Sequence, residues 1–199
     1  MLNKVKCLTL AMAIVAVPVP VAAQFASEGV GFLQAVKERD GAKVNDLIRA
    51  NGASIINYRP EGGEPALHLL VGRRDLEWLA FMLGQGADAN LQSSKGDTAL
   101  LVAARNGWLD GVNLLLRGKA RVDVPNRMGE TPLIVAVQQR QTAVVKRLLE
   151  AGANPDRTDN ATGRSARDYA KEDRRSSDLL RLIETVKPAA AKPAAGPKL

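Results

Sequence analysis

The chain has 199 residues, with 28 Lys and Arg against 21 Asp and Glu, one Cys, one His and 4% aromatic residues. At roughly 150 residues per domain this predicts one domain plus ends, and a 46% apolar fraction with 25% charge excludes wholesale disorder. One Cys rules out an internal disulfide framework or a cysteine-rich zinc site, one His rules out any mechanism needing a His pair, and the few aromatics argue against a β-sandwich core or an RNA-binding sheet of stacked rings.

Residues 1–23 open with Lys4, Lys6 and no acid, continue in an 11-residue apolar run from Cys7 to Val17, and close on Pro18, Pro20 and the small residues Val21-Ala22-Ala23. This order predicts a secretory signal peptide cleaved after Ala23, with a short linker over 24–31. The competing reading is a retained membrane anchor. The apolar run is well short of the roughly 20 residues that span a bilayer, and the two prolines make a longer span less plausible. Cys7 stands at the start of the apolar run, where a lipoprotein cysteine would stand at its end. A mature chain beginning at Gln24 would carry no thiol, which suits the oxidising compartment of a periplasmic or secreted bacterial protein.

Beyond residue 31 the chain repeats. Pro65-Ala66-Leu67-His68, Thr98-Ala99-Leu100-Leu101 and Thr131-Pro132-Leu133-Ile134 are spaced by 33 residues. Met82-Leu83, Leu115-Leu116 and Leu148-Leu149 keep the same step, and so do the segments opening at Gly86, Lys119 and Gly152. Three independent marks at one period are the signature of a solenoid. Apolar residues recur at helical spacing, as Leu100, Ala103 and Ala104, then Leu109, Val112, Leu115 and Leu116. Thr98, Thr131 and Ser165 stand as N-caps, with Pro132 at a first helical position. Gly86 and Gly152 fit left-handed C-caps, and Lys119 replaces that glycine at a cost of about 1 kcal/mol. Gly96 and Gly129 mark loop tips. Arg74 and Arg140 stand where Gly107 stands in the middle unit, and a non-glycine residue there predicts a different turn geometry.

These residues resemble the ankyrin repeat, whose pattern runs G-x-T-P-L-H-x-A, a small turn, V-x-x-L-L, then G-A-D-x-N. Gly96 to Asp123 is the best copy, Gly129 to Asp156 the next, and Pro60 to Asn90 a weaker one. Degenerate copies flank them, at Phe32 to Asn57 and from Gly163 through Tyr169 to Ile183. The resemblance implies an all-α solenoid of stacked helix-turn-helix units with inter-repeat β-turn loops. The expected domain spans 32–187, in units 32–58, 59–91, 92–124, 125–157 and 158–187. Stacking buries the apolar face that each unit would otherwise expose. Arg167, where the inner units carry Leu100 and Leu133, suits a solvent-facing cap. Residues 188–199, rich in Pro and Ala, are expected to form an extended tail.

Little in the chain points to chemistry. His68 holds the histidine position of the ankyrin pattern, which implies a structural brace. No His, Cys or carboxylate cluster has metal-ligand spacing, and neither a G-x-S-x-G elbow nor a G-x-x-x-x-G-K-[ST] loop is present. Asp156, Asp159 and Asn160 miss the calcium-loop spacing, which favours a solvated loop there. Asn160-Ala161-Thr162 fits a glycosylation sequon, relevant only in a eukaryotic source. No cofactor and no metal are expected. Setting aside Lys4 and Lys6 in the first 23 residues, and Lys192 and Lys198 in the last 12, leaves 24 basic against 21 acidic residues. That mixed surface argues against nucleic-acid binding.

The resemblance implies contact through the loop tips and the exposed face of each first helix. On this chain the tips are Glu61 and Glu64, then Ser94, Lys95 and Asp97, then Arg127, Met128 and Glu130. The helix-face positions are Gly72 and Arg73, then Arg105 and Asn106, then Gln138 and Gln139. Trp108 either packs on the next repeat or anchors an interface, whereas Trp78 among Leu76, Leu79, Met82 and Leu83 fits packing. Met128 at a loop tip suits adaptable contact. The expected function is non-catalytic binding of an unidentified protein partner in the bacterial cell envelope, by a monomer with no membrane insertion after cleavage. Alternatives are an accessory or immunity factor for a co-encoded secreted enzyme or toxin, and an envelope tether using the C-terminal tail.

Overall fold

The computed structural model describes residues 21–173 and 177–186, with side chains from Ala26. Residues 1–20 of the signal peptide expected over 1–23, and the tail at 188–199, lie outside the described residues. Among the described residues ten α-helices follow one another: α1 Val21–Glu38, α2 Gly41–Asn51, α3 Ala66–Gly72, α4 Leu76–Gly84, α5 Ala99–Arg105, α6 Leu109–Arg117, α7 Pro132–Gln138, α8 Thr142–Glu150, α9 Ala166–Glu172 and α10 Ser177–Thr185. A 3₁₀ segment, Gly52–Asn57, follows α2. The helices form five antiparallel pairs stacked in a row. The inner row is α1, α3, α5, α7 and α9, and α4, α6, α8 and α10 back it. This is the expected all-helical solenoid. No helix among the described residues is long and apolar enough to cross a membrane.

The segment 24–31, expected as a linker, is instead helical and belongs to α1. It has no proline, and docking of Phe32, Ala35 and Val36, all fully buried, holds the helix to which it is joined. The inner helices α5, α7 and α9 each start where a hydroxyl caps them. Thr98 Oγ1 accepts from Leu101 N at 3.2 Å, and Thr131 Oγ1 from Ile134 N at 3.3 Å. Ser165 and Asp168 form a reciprocal capping box. Leu100, Leu115, Leu133 and Leu148, all 33-step positions, are fully buried in one continuous core running through every pair.

The loops between pairs are tight hairpins. Ser93 N donates to Asp97 O, Asn126 N to Glu130 O, and Asp159 N to Arg164 O. Successive hairpins are tied by main-chain bonds from Arg127 N to Lys95 O (3.4 Å) and Asn160 N to Met128 O (2.8 Å). A second ladder runs at the same period in the loops just ahead of the hairpins. The Asn57, Asn90 and Asp123 side chains accept from the backbone N–H of Asp88, Arg121 and Asn154 respectively. The third and fourth units are therefore fastened by both ladders, besides the buried apolar contact between them.

The inner turns do not change geometry at Arg74 and Arg140, contrary to expectation. Both have φ of 55°, close to the 63° of Gly107. The physical reason is a compensating contact along the stack. Arg74 Nη2 donates to Asn106 O, and Arg140 pairs with Asp173 at 2.7 Å. Arg39, also left-handed with φ of 59°, reaches Asp75 and Glu77 in the same direction. At Gly107 the traffic reverses, because the amide of Gln141 occupies the space that a Cβ there would need.

Candidate functional site

Between the hairpins 95–97 and 126–130 and the exposed ends of α5 and α7 lies an open groove of about 530 Å³. Its floor is electrostatically built. Asp97, 5% exposed, takes two bonds from Arg105, Nη1 to Oδ2 at 2.9 Å and Nη2 to Oδ1 at 3.3 Å. Asn126 Nδ2 donates to Asp97 Oδ1 at 3.0 Å and to Glu130 Oε2 at 2.8 Å. The Asn126 Oδ1 in turn accepts from Met128 N and Glu130 N, which closes the second hairpin. Burial alone would raise the Asp97 carboxyl, but Arg105 and Asn126 outweigh it and hold it below the ordinary 3.8. Asp97 is thus ionised at neutral pH and its charge is spent inside the protein.

Behind the groove stands His68, 2% exposed. Its Nε2 lies 2.7 Å from the main-chain oxygen of Asp97, so Nε2 carries the hydrogen and donates. Burial lowers the His68 pKa below 6.5, against the pull of the Asp97 carbonyl and of the Glu64 and Asp97 charges. The neutral ring is a brace between the second and third pairs. Groups of three or more His, Cys, Asp or Glu able to hold a metal are absent among the described residues.

Seven of the residues predicted for contact converge on this one groove: Lys95, Asp97, Arg105, Met128, Glu130, Gln138 and Gln139. Met128 is 53% exposed at its rim. The others stand apart. Glu61 and Glu64 are exposed on the loop before α3, and Arg73 is exposed with Nη1 on Lys37 O. Ser94 contacts Gly62 O at 3.4 Å, the Asn106 carbonyl is taken by Arg74, and the Arg127 side chain is exposed with its Cγ over Gly96. Trp108 offers no anchor. It is 8% exposed, and its indole fills the space above Gly111. Trp78, also 8% exposed, packs edge-on against Phe81 at 5.3 Å as expected of a core residue.

Asn126 and Val135 complete the groove and were not predicted. A signal for Asn126 existed: Ser93, Asn126 and Asp159 follow the 33-residue step, and all three are buried polar residues that close a hairpin. The loop near Asp159 is solvated as expected, with Asp156 and residues 160–164 exposed, but the Asp159 side chain itself turns inward. Asp159, 5% exposed, accepts from Thr162 N, Gly163 N and the Tyr169 hydroxyl. Burial would push its carboxyl up, but those donors outweigh it and hold the group below the usual carboxylate range.

The arrangement is a rigid surface with amide, charged and thioether groups at its rim and no reactive pair in its floor. Comparison with known proteins agrees with the geometry. Residues 67–159 match the family model described as ankyrin repeats in three copies. The ANK repeat-containing protein nipk-1 of Caenorhabditis elegans is 30% identical over 154 residues, covering 70% of this chain and 25% of that protein. The human ankyrin repeat domain-containing protein 63 is 30% identical over 138 residues, covering 65% of this chain and 36% of that protein. An ankyrin repeat-containing protein of Treponema pallidum (strain Nichols) is 34% identical over 110 residues, covering 55% of this chain and 37% of that protein. The chain thus spans about a quarter to a third of the length of these relatives. With three matched copies seated on stacked, 33-step helix pairs, the chain is an ankyrin-repeat protein across residues 67–159.

Proposed function

We propose that this chain is a non-catalytic binding module that holds a protein partner in the groove between its third and fourth helix pairs. The observation that carries the reading is the Arg105–Asp97–Asn126–Glu130 network. It fixes both walls of the groove before any partner arrives, so little ordering entropy is lost on binding. The outward groups, Lys95, Met128, Gln138 and Gln139, supply one cation, one adaptable apolar contact and two amides, a mixture suited to a polypeptide. A photo-crosslinking amino acid placed at Gln138 in the full chain tests this in the native cell. An adduct with one protein is expected from position 138, none from Asp110 on α6, and a weaker one when Met128→Glu is added. Equal adducts from both positions, or none at 138, would refute the groove.

Export is part of the proposal. Lys4, Lys6, the apolar run and Val21-Ala22-Ala23 support delivery to the bacterial envelope or exterior. Mass spectrometry of the protein from fractionated cells should find a mature form beginning at Gln24 outside the cytoplasm. An intact Met1 in the cytoplasm would remove the envelope from the reading and leave the groove untouched.

A further inference from the structure

The repeats of this chain serve as one another's reference, and at the foot of the third and fourth pairs three positions depart from it in the same direction. At the C-cap register, Gly86 and Gly152 flank Lys119. Two residues on, Asp88 and Asn154 flank Arg121, and in the next register Leu91 and Val124 are followed by Arg157. Each departure introduces a cation.

The fold does not need these cations. The backbone N–H of Arg121 accepts the same duty as those of Asp88 and Asn154, bonding the side chain of the preceding unit, so the side chain at this register is free to vary. Lys119 sits at φ of 65°, in the left-handed region where Gly86 and Gly152 sit at 92° and 91°, and bears a strain that glycine avoids. Among the described residues neither Lys119 nor Arg121 makes an ion pair, and Arg157 touches only the main-chain oxygen of Asp123, at 3.2 Å. All three side chains are exposed.

Arg121 and Arg157 flank one cleft of about 460 Å³, and Lys119 lies two residues from it. The acid in that cleft, Asp123, accepts from Asn154 N at 3.2 and 3.1 Å and offsets part of the Arg157 charge, so with Arg121 and Lys119 the cations still outnumber it. The cleft shares no residue with the groove described above. We propose that it is a second docking site, for a short acidic segment of a partner protein, in which carboxylates bridge Arg121 and Arg157 while Lys119 supplies further positive field. Charge complementarity carries the assignment. A continuous phosphate backbone fits less well, because the basic surface is confined to these three cations, with the acids Asp88 and Asp156 close by in the flanking repeats.

The test uses the full chain and a fluorescein-labelled hexaglutamate peptide at low ionic strength. The parent is expected to bind, and to bind more weakly as salt is raised. Restoring the residues that the neighbouring repeats carry, with Lys119→Gly, Arg121→Asn and Arg157→Leu together, should weaken binding by at least about tenfold without loss of helical signal. Lys95→Gln with Arg127→Gln, on the groove side, should leave it unchanged, which separates this site from the groove. Absence of binding by the parent, equal binding by the triple variant, or loss in the groove variant overturns the proposal. Tighter binding of an oligodeoxythymidine of equal charge, lost in the triple variant, reassigns the cleft to nucleic acid and also overturns it.

Discussion

The Nε2 of His68 donates to the Asp97 carbonyl at 2.7 Å, while its Nδ1 is buried without a hydrogen-bonding partner. The missing partner has a local cause. Thr98, Thr131 and Ser165 put a hydroxyl at the start of their helices, and the Ser165 Oγ lies 2.7 Å from the side chain three residues on. Pro65 holds that position before His68 and has no hydroxyl to offer.

Pro65→Thr is therefore expected to stabilise the fold. A threonine cap contributes about 1 kcal/mol, and satisfying a buried polar atom contributes about 1–3 kcal/mol. Against this, losing proline's restriction of the unfolded chain costs about 0.4–1 kcal/mol. The net is a higher denaturation midpoint in urea, and an unchanged or lower midpoint would contradict the account of the orphaned Nδ1.

Acid should weaken the junction between the second and third pairs. The folded His68 has a pKa below 6.5, so below that pH the unfolded state binds the proton and the folded state resists it. Stability then falls as pH drops from 6.5. A further loss follows at lower pH as Asp97, whose folded pKa lies below 3.8, is protonated and releases Arg105. Since the chain has one histidine, denaturation midpoints measured across this range should flatten in the upper window for His68→Gln. A profile unchanged by that substitution would show that another group is responsible.

Leu115→Ala is expected to cost about 2–5 kcal/mol, because the side chain is fully buried and the helices on both sides cannot close the cavity. The same substitution at Met128, 53% exposed, should change stability by less than about 0.5 kcal/mol. Chemical denaturation of the two variants checks both at once.

Asp123→Asn should preserve or raise stability. Asn57 and Asn90 perform the same bond from the equivalent register, and burial raises the Asp123 carboxyl, against the Asn154 N–H and the Arg157 charge. A raised folded pKa means that ionisation opposes folding, so the gain should be present at neutral pH and vanish once pH falls below 3.8. Thermal denaturation at neutral and acidic pH measures the difference, and a loss of stability at neutral pH would show that the charge is needed.

Much of this protein was legible in its residue order. The 33-residue step placed Leu100, Leu115, Leu133 and Leu148 in the core, and the hydroxyls of Thr98, Thr131 and Ser165 at helix starts. Periodicity and capping are local or nearest-neighbour properties, and in a solenoid every contact is with the adjacent unit. What lay between units was not legible. Whether Arg74 and Arg140 would keep the left-handed turn depended on contacts that only the stacked neighbour supplies, at Asn106 and Asp173. The fate of Trp108 depended on the bare Gly111 beneath its ring. The groove is likewise a tertiary product. The spacing put Asp97 and Glu130 in the same register, and only the stack brought Asn126 between their carboxylates. Local order thus determined which helices form and which faces they bury. Registry between neighbouring units, set by side chains reaching about one repeat along the chain, decided which polar groups met and which surface was left to a partner.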